Sequence, residues 1–132
     1  MRILLPTVIL LLATAVVATP ATAQLDGTWE LEHVNGAPLP ANSPSEDEVV
    51  MEGLTVMLDA QAKYTIILKA RNATTGVPAV MEMAGTYRIE EDRLHFEPDP
   101  GSTSAPVDFH WEMDEGRLIW RDERDEYVFA RR

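Results

Sequence analysis

His33, His95 and His110 are the only imidazoles in a chain without cysteine, so chemistry at a nitrogen ligand or base must begin with them. His95 and His110 fall on the outward parity of neighbouring alternating stretches, with Glu97, Asp108 and Glu112 close in sequence. Such nitrogen and oxygen donors are the ligand types of zinc or copper. No His-x-x-x-His or other dedicated spacing joins them, so they read as solvated residues on the outside of a sheet, and no metal is expected. Ser43, Ser45, Ser102 and Ser104 lie in loop-like stretches without a Gly-x-Ser-x-Gly context. Acidic residues are abundant, but none falls on the apolar parity where burial would raise a carboxyl toward general-acid duty. There is no phosphate loop and no dinucleotide fingerprint. Asn72-Ala73-Thr74 matches a glycosylation acceptor. The residues therefore point away from catalysis, and neither a catalytic residue nor a cofactor is expected.

Binding is better served. Met81, Met83, Tyr87, Trp111, Trp120 and Tyr127 share the apolar parity of their stretches. Methionine adapts to ligand shape, and tyrosine and tryptophan join a large apolar body to a polar tip. Together they are the expected lining of a pocket, with Leu39 tucked into its mouth. The bland alternative for the same residues is a filled core.

The elements that position these side chains have a period of two. Trp29, Leu31 and His33 alternate with polar neighbours, as do Leu54, Val56 and Leu58. The same pattern recurs at Tyr64, Ile66 and Leu68, at Met81 to Ile89, and at Leu94 and Phe96. Phe109 and Trp111, Leu118 and Trp120, and Tyr127 and Phe129 complete it. Half-buried antiparallel strands alternate in this way, and no three-turn helical stripe competes. Turn signals separate the runs, including Pro98-Asp99-Pro100-Gly101 and Asp114-Glu115-Gly116. The reading is about eight strands joined mostly by short links, hence an antiparallel meander that can close into a barrel. Gly85, inside the fourth run, suits a bulge or bend. Asn35-Gly36 looks like a hairpin turn, but Ala37-Pro38-Leu39-Pro40 is not expected to pair. The connection over 34–52 is expected to be a long loop and a candidate lid.

The motifs Gly27-Thr28-Trp29-Glu30-Leu31, Val34-Asn35-Gly36, Pro38-Leu39-Pro40, Gly85-Thr86-Tyr87 and Tyr127-Val128-Phe129-Ala130-Arg131 occur in that order. In this order the chain resembles the lipocalin and wider calycin pattern. It is most similar to small secreted bacterial lipocalin-like (calycin-like) domains of mostly unknown function. The resemblance implies an all-β, eight-stranded antiparallel up-and-down barrel. It also implies a terminal arginine packed on the Gly-x-Trp tryptophan at the closed end. Closure of a meander leads to the same pairing, since strand one starts where strand eight ends. Gly27, Trp29 and Arg131 are thus the expected closure residues. The chain lacks the typical C-terminal helix and the Thr-Asp-Tyr motif of lipocalins.

Residues 1–23 have a basic start, an apolar run and a small-x-small end, Ala21-Thr22-Ala23, the three parts of a secretory signal peptide. Cleavage would leave residues 24–132 as one lipocalin-like β-barrel domain, soluble in a periplasm or outside the cell. The formal net charge is −11, and loss of Arg2 with the leader makes the remainder one unit more negative. Nucleic acid and anionic membrane surfaces need a basic footprint that is missing here. The expected function is non-catalytic binding of a small, mostly apolar ligand in the barrel mouth. The alternative is a protein-binding or inhibitory barrel with a filled core, acting through its outer face. A homodimer through the outward apolar residues Met57, Ile67 and Val80 belongs to that alternative.

Overall fold

The computed structural model describes residues 25–132; the leader expected over 1–23 lies outside the described residues. The elements are β1 (Gly27–Val34), β2 (Ala37–Pro38), β3 (Ala41–Asn42), β4 (Val49–Leu58) and β5 (Lys63–Asn72). They continue with β6 (Pro78–Glu90), β7 (Arg93–Pro98), β8 (Val107–Asp114), β9 (Arg117–Arg121) and β10 (Glu126–Arg131). The strands β4 to β10 pair antiparallel in sequence order, and β1 pairs with both β10 and β4. This double pairing closes the sheet into an up-and-down barrel and leaves no free edge along β1.

Two bulges set which side chains point inward. On β1 the register slips between Leu31 and His33, so Glu32 is the extra residue. Past it the parity inverts: Val34 is buried and His33, expected inward with Trp29 and Leu31, turns toward the outer face. On β4 the slip lies between Met51 and Gly53, with Glu52 extra. Met51 is therefore turned inward and buried, ahead of the expected start of this strand at Leu54, while its neighbour Val50 is buried outside the core cluster.

The expectation of a long unpaired loop after Val34 is corrected. Asn35 (φ 50°) and Gly36 (φ 82°) form a hairpin turn in which Val34 faces Ala37 and His33 faces Pro38. Both central residues have positive φ, the conformation that matches strand twist and favours Asn-Gly. The Asn35 side chain adds a reason for the turn: its amide donates to Asp125, and its oxygen accepts from the Glu126 amide. Ala41 and Asn42 then pair with Met51 and Val50. Only the stretch 43–48 remains as the loop.

Gly85 allows a close backbone approach. A Cβ there would lie 2.1 Å from the Glu97 carbonyl oxygen and 2.9 Å from the Tyr64 ring. Tyr64 faces Gly85 directly across β5 and β6, so the ring fills the place of the missing side chain.

The closed end is packed tightly. Leu25, Trp29, Val56, Leu94, Leu118 and Phe129 are fully buried. The Arg131 guanidinium carbon sits 4.2 Å from the Trp29 ring centroid, and Arg131 also donates to the Asp26 carbonyl. The Trp29 indole N–H donates to the Leu25 carbonyl at 2.9 Å. At Gly27 (φ 136°) a Cβ would fall 2.6 Å from the Arg131 guanidinium, so a side chain there would displace that group from the Trp29 ring.

Candidate functional site

At the other end the interior opens into a cavity of about 240 Å³. β4 contributes Met51 and Leu54, β5 contributes Tyr64, Ile66 and Leu68, and β6 contributes Met83. Phe96 of β7, Val107 and Phe109 of β8, Trp120 of β9 and Tyr127 of β10 complete the walls, with Ser104 and Ala105 from the preceding loop. The lining carries no carboxylate and no basic group. Its titratable groups are two phenols. Burial pushes the Tyr127 hydroxyl up to about 12, helped by Asp125 and Asp122. Burial also raises Tyr64, helped by Asp99 and Glu97. Both stay neutral across the physiological range, so the chamber offers apolar surface and neutral hydrogen-bonding tips.

The strand wall of the cavity is interrupted on one side, because β6 is long and β7 is short. Residues Gly85 to Glu90 of β6 face β7, whereas Pro78 to Ala84 pair only with β5. The Asp99 amide bonds the Ala84 carbonyl where that pairing ends. The loop 99–106 then spans from β7 to β8 and brings Ser104 and Ala105 against the cavity. Within it, the aromatic side chains stack on each other rather than plug the centre. Phe109 and Trp120 lie nearly parallel with centroids 4.9 Å apart, and Phe96 leans on Trp120 at 5.2 Å.

Of the sequence-predicted lining, Met83, Trp120 and Tyr127 reach the cavity. Four residues do not. Tyr87 is on the inward face but at the closed end; its hydroxyl donates to the Asp59 carbonyl at 2.8 Å, and burial beside Asp26 and Asp59 raises it to about 12. Met81 is 52% exposed and faces a separate surface groove with Leu68, Ala70 and Val77, on the half of β6 that has one neighbour. Trp111 packs against the core from β8 without entering the lining, and Leu39 packs against it from the β2–β3 link. Met51, Leu54, Phe96 and Phe109 line the cavity without being among the residues the sequence singles out for it. Leu54, Phe96 and Phe109 do carry a signal, since they lie on the inward parity; Met51 is hidden by the Glu52 bulge.

The lid expectation narrows to 43–48. Pro44 and Ser45 of this loop lie across from Asp108, His110, Arg121 and the turn 122–125, framing a groove of about 740 Å³. That groove is larger than the interior cavity but open and charged, and two of the groups that line it, Arg121 and His110, are already engaged by carboxylates. Arg121 is bonded to Glu112 and Glu126, and His110 is 3.4 Å from Asp92. His95 is similarly engaged: Nδ1 contacts Asp108 at 2.6 Å and Nε2 contacts Glu97 at 3.2 Å. The two carboxylates thus occupy opposite edges of the ring and do not converge on one point. Among the described residues no group of three or more such side chains could hold a metal. Met57, Ile67 and Val80 lie along the outer face of β4 to β6, where Ile67 faces Thr55 and Glu82; of the three only Val80, at 67%, is strongly exposed.

The fold is thus a closed eight-stranded antiparallel barrel with one tight end and one hollow end. A solved structure with this fold is that of an uncharacterized protein from Bacteroides eggerthii DSM 20697, with a TM-score of 0.52 and 14% sequence identity. The match covers 81% of this chain and 98% of that one. No family model and no curated protein matches the chain.

Proposed function

We propose that the protein is a non-catalytic, lipocalin-like carrier or sensor that takes a small, neutral, mostly apolar ligand into the hollow end of the barrel. The observation that carries this reading is the cavity of about 240 Å³ whose lining contains no charged side chain. Protein interiors are close-packed, and a void that forfeits apolar contacts destabilises the fold unless something fills it. At interior packing density this volume holds roughly ten non-hydrogen atoms. The acidic residues around the rim, Asp99, Asp122 and Asp125, disfavour an anion.

Trp120 in the wall provides the assay. Neutral aromatic or branched compounds of about ten heavy atoms are expected to give a saturable change in tryptophan emission. No saturable change up to millimolar concentrations would count against the reading. A second reading, a docking surface on the outside, draws on Val77, Val80 and Met81, which are 61%, 67% and 52% exposed beside the unpaired half of β6. Open strand edges of this kind accept an added strand. A pull-down that recovers a partner from wild type but not from a Val80→Lys variant would favour it.

A further inference from the structure

β7 ends at Pro98, opposite Gly85, so the stretch of β6 from Pro78 to Ala84 has a strand on one side only. Residues of an antiparallel strand turn their N–H and C=O alternately to its two sides. The Ala84 carbonyl accepts from Asp99 on the β7 side, and β5 pairs with this stretch without a bulge. Glu82 and Val80 therefore turn their backbone groups to the same open side, where no strand of the described residues meets them. Val80 and Met81 are 67% and 52% exposed there, and Glu82 is exposed between Met81 and Met83. A bare edge of this kind is a template for another strand.

We propose that this edge pairs antiparallel with the same edge of a second copy of the chain, about a two-fold axis at Val80. The proposal rests on the outer-surface reading, gives it a partner, and is independent of ligand binding in the cavity. A two-fold contact sets each residue opposite a defined residue of the other copy, so the register can be argued. With Val80 opposite Val80, the amide and carbonyl of each valine meet those of the other. Each Glu82 amide then meets the Pro78 carbonyl of the other copy, and Pro78 has no N–H to leave unpaired. Gly76 (φ 74°) turns the chain back to β5 before it would run into β7 of the other copy. Neighbouring registers are worse. Val80 opposite Glu82 drives Pro78 onto Ala84, where Asp99 already sits. Glu82 opposite Glu82 sets like charges face to face. An axis at Ala79 points each Glu82 amide at the Gly76 turn. In the favoured register Met81 lies over the small Ala79. Glu82 lies over Pro78, next to Arg71, which faces Pro78 on β5, and Lys69 is the next cation along that strand. A chain with a net charge of −11 thus offers itself one of its basic spots.

Sedimentation of the wild-type chain at physiological salt, where long-range repulsion is screened beyond about 8 Å, tests this. The contact is one short strand pair, so a dimer with a Kd on the order of 10 μM is expected. Val80→Lys sets like charges opposite each other at the axis and should weaken the dimer at least about tenfold. Its melting temperature in dilute solution should match wild type, since the side chain is exposed. Val80→Cys gives a chain with a single thiol, which a short bismaleimide should cross-link to its counterpart, whereas Gln61→Cys in the β4–β5 turn at the closed end should not cross-link. A monomer at about 1 mM, a dimer unmoved by Val80→Lys, or equal cross-linking of both cysteine variants overturns the proposal. A monomer that still captures a different protein, and loses it in Val80→Lys, overturns self-pairing and leaves the outer docking surface standing.

Discussion

Replacing Arg131 by alanine tests how the barrel is locked. The guanidinium lies 4.2 Å from the centroid of a fully buried Trp29 ring and donates to the Asp26 carbonyl on the opposite side of the seam. A cation over an indole contributes about 1 kcal/mol when the cation is partly solvated. The hydrogen bond, made by a charged donor at an exposed site, adds a further ~1 kcal/mol. Alanine also uncovers the ring face and loosens the turn at Gly27, which is shaped around the guanidinium. A loss of about 2 kcal/mol in a domain of this size lowers Tm by roughly 10 °C. Thermal unfolding followed by circular dichroism reads this directly. Arg131→Lys is the informative companion: it keeps the charge but loses the planar group that covers the ring, so it should recover less than half of the loss. Probe affinity should be unchanged in both variants, because the lock and the cavity occupy opposite ends. A fall in Tm below about 2 °C, or a loss of probe binding equal to the loss of stability, would refute the reasoning.

Three more outcomes come from the same geometry. Gly85→Ala drives a Cβ into the Glu97 carbonyl and the Tyr64 ring, backbone and packed side chain alike, and should destabilise by about 3 kcal/mol in urea unfolding; a change within error would mean that β7 shifts freely. Met83→Trp fills the cavity from β6 and should abolish binding of neutral aromatic compounds with little loss of stability, checked by fluorescence titration and thermal melts. Tyr87 and Tyr127 keep their protons to about 12 in the fold against 10.0 ordinarily, so the stability linked to their burial is complete below pH 10 and is lost as pH rises toward 12. Absorbance titration at 295 nm should show all three phenols ionising late, Tyr87 and Tyr127 together with the raised Tyr64, and reverting to ordinary behaviour in denaturant; early ionisation of two or more would contradict their burial.

The alternation of apolar residues reveals the eight long strands, their order and the Trp29–Arg131 seam, because a half-buried strand writes its inner face at every second position. Prediction from parity fails where that rule breaks. The extra residues Glu32 and Glu52 each shift the alternation by one position, so simple parity places His33 inward and gives Met51 no place in the lining. Nothing in the residue types marks either glutamate as a bulge. Asn35-Gly36 carries the right hairpin signal, and the two prolines after it hide the pairing, although Pro38 sits in a strand only two residues long. For the cavity, parity specifies the face of a residue and not its height. Tyr87, Met81 and Met83 share one face of β6, yet Tyr87 belongs to the closed end, Met83 to the cavity and Met81 to the outer rim. Their heights depend on the stagger of neighbouring strands, which pairing sets and no local pattern encodes.

The two ends of the barrel use the same residue types to opposite effect. At the closed end Trp29 has its ring covered by Arg131 and its N–H satisfied by Leu25, so every part of the side chain is occupied by protein. At the hollow end Trp120 is nearly as deeply buried, stacks on Phe109, and has a buried N–H without a partner among the described residues. Stacking on Phe109 and the contact with Phe96 hold the Trp120 ring in a fixed orientation. The short β7 leaves the wall beside Met83 to the 99–106 loop, while the closure contacts between β1 and β10 lie at the other end. On the proposed reading, stability and recognition fall to different ends of one sheet.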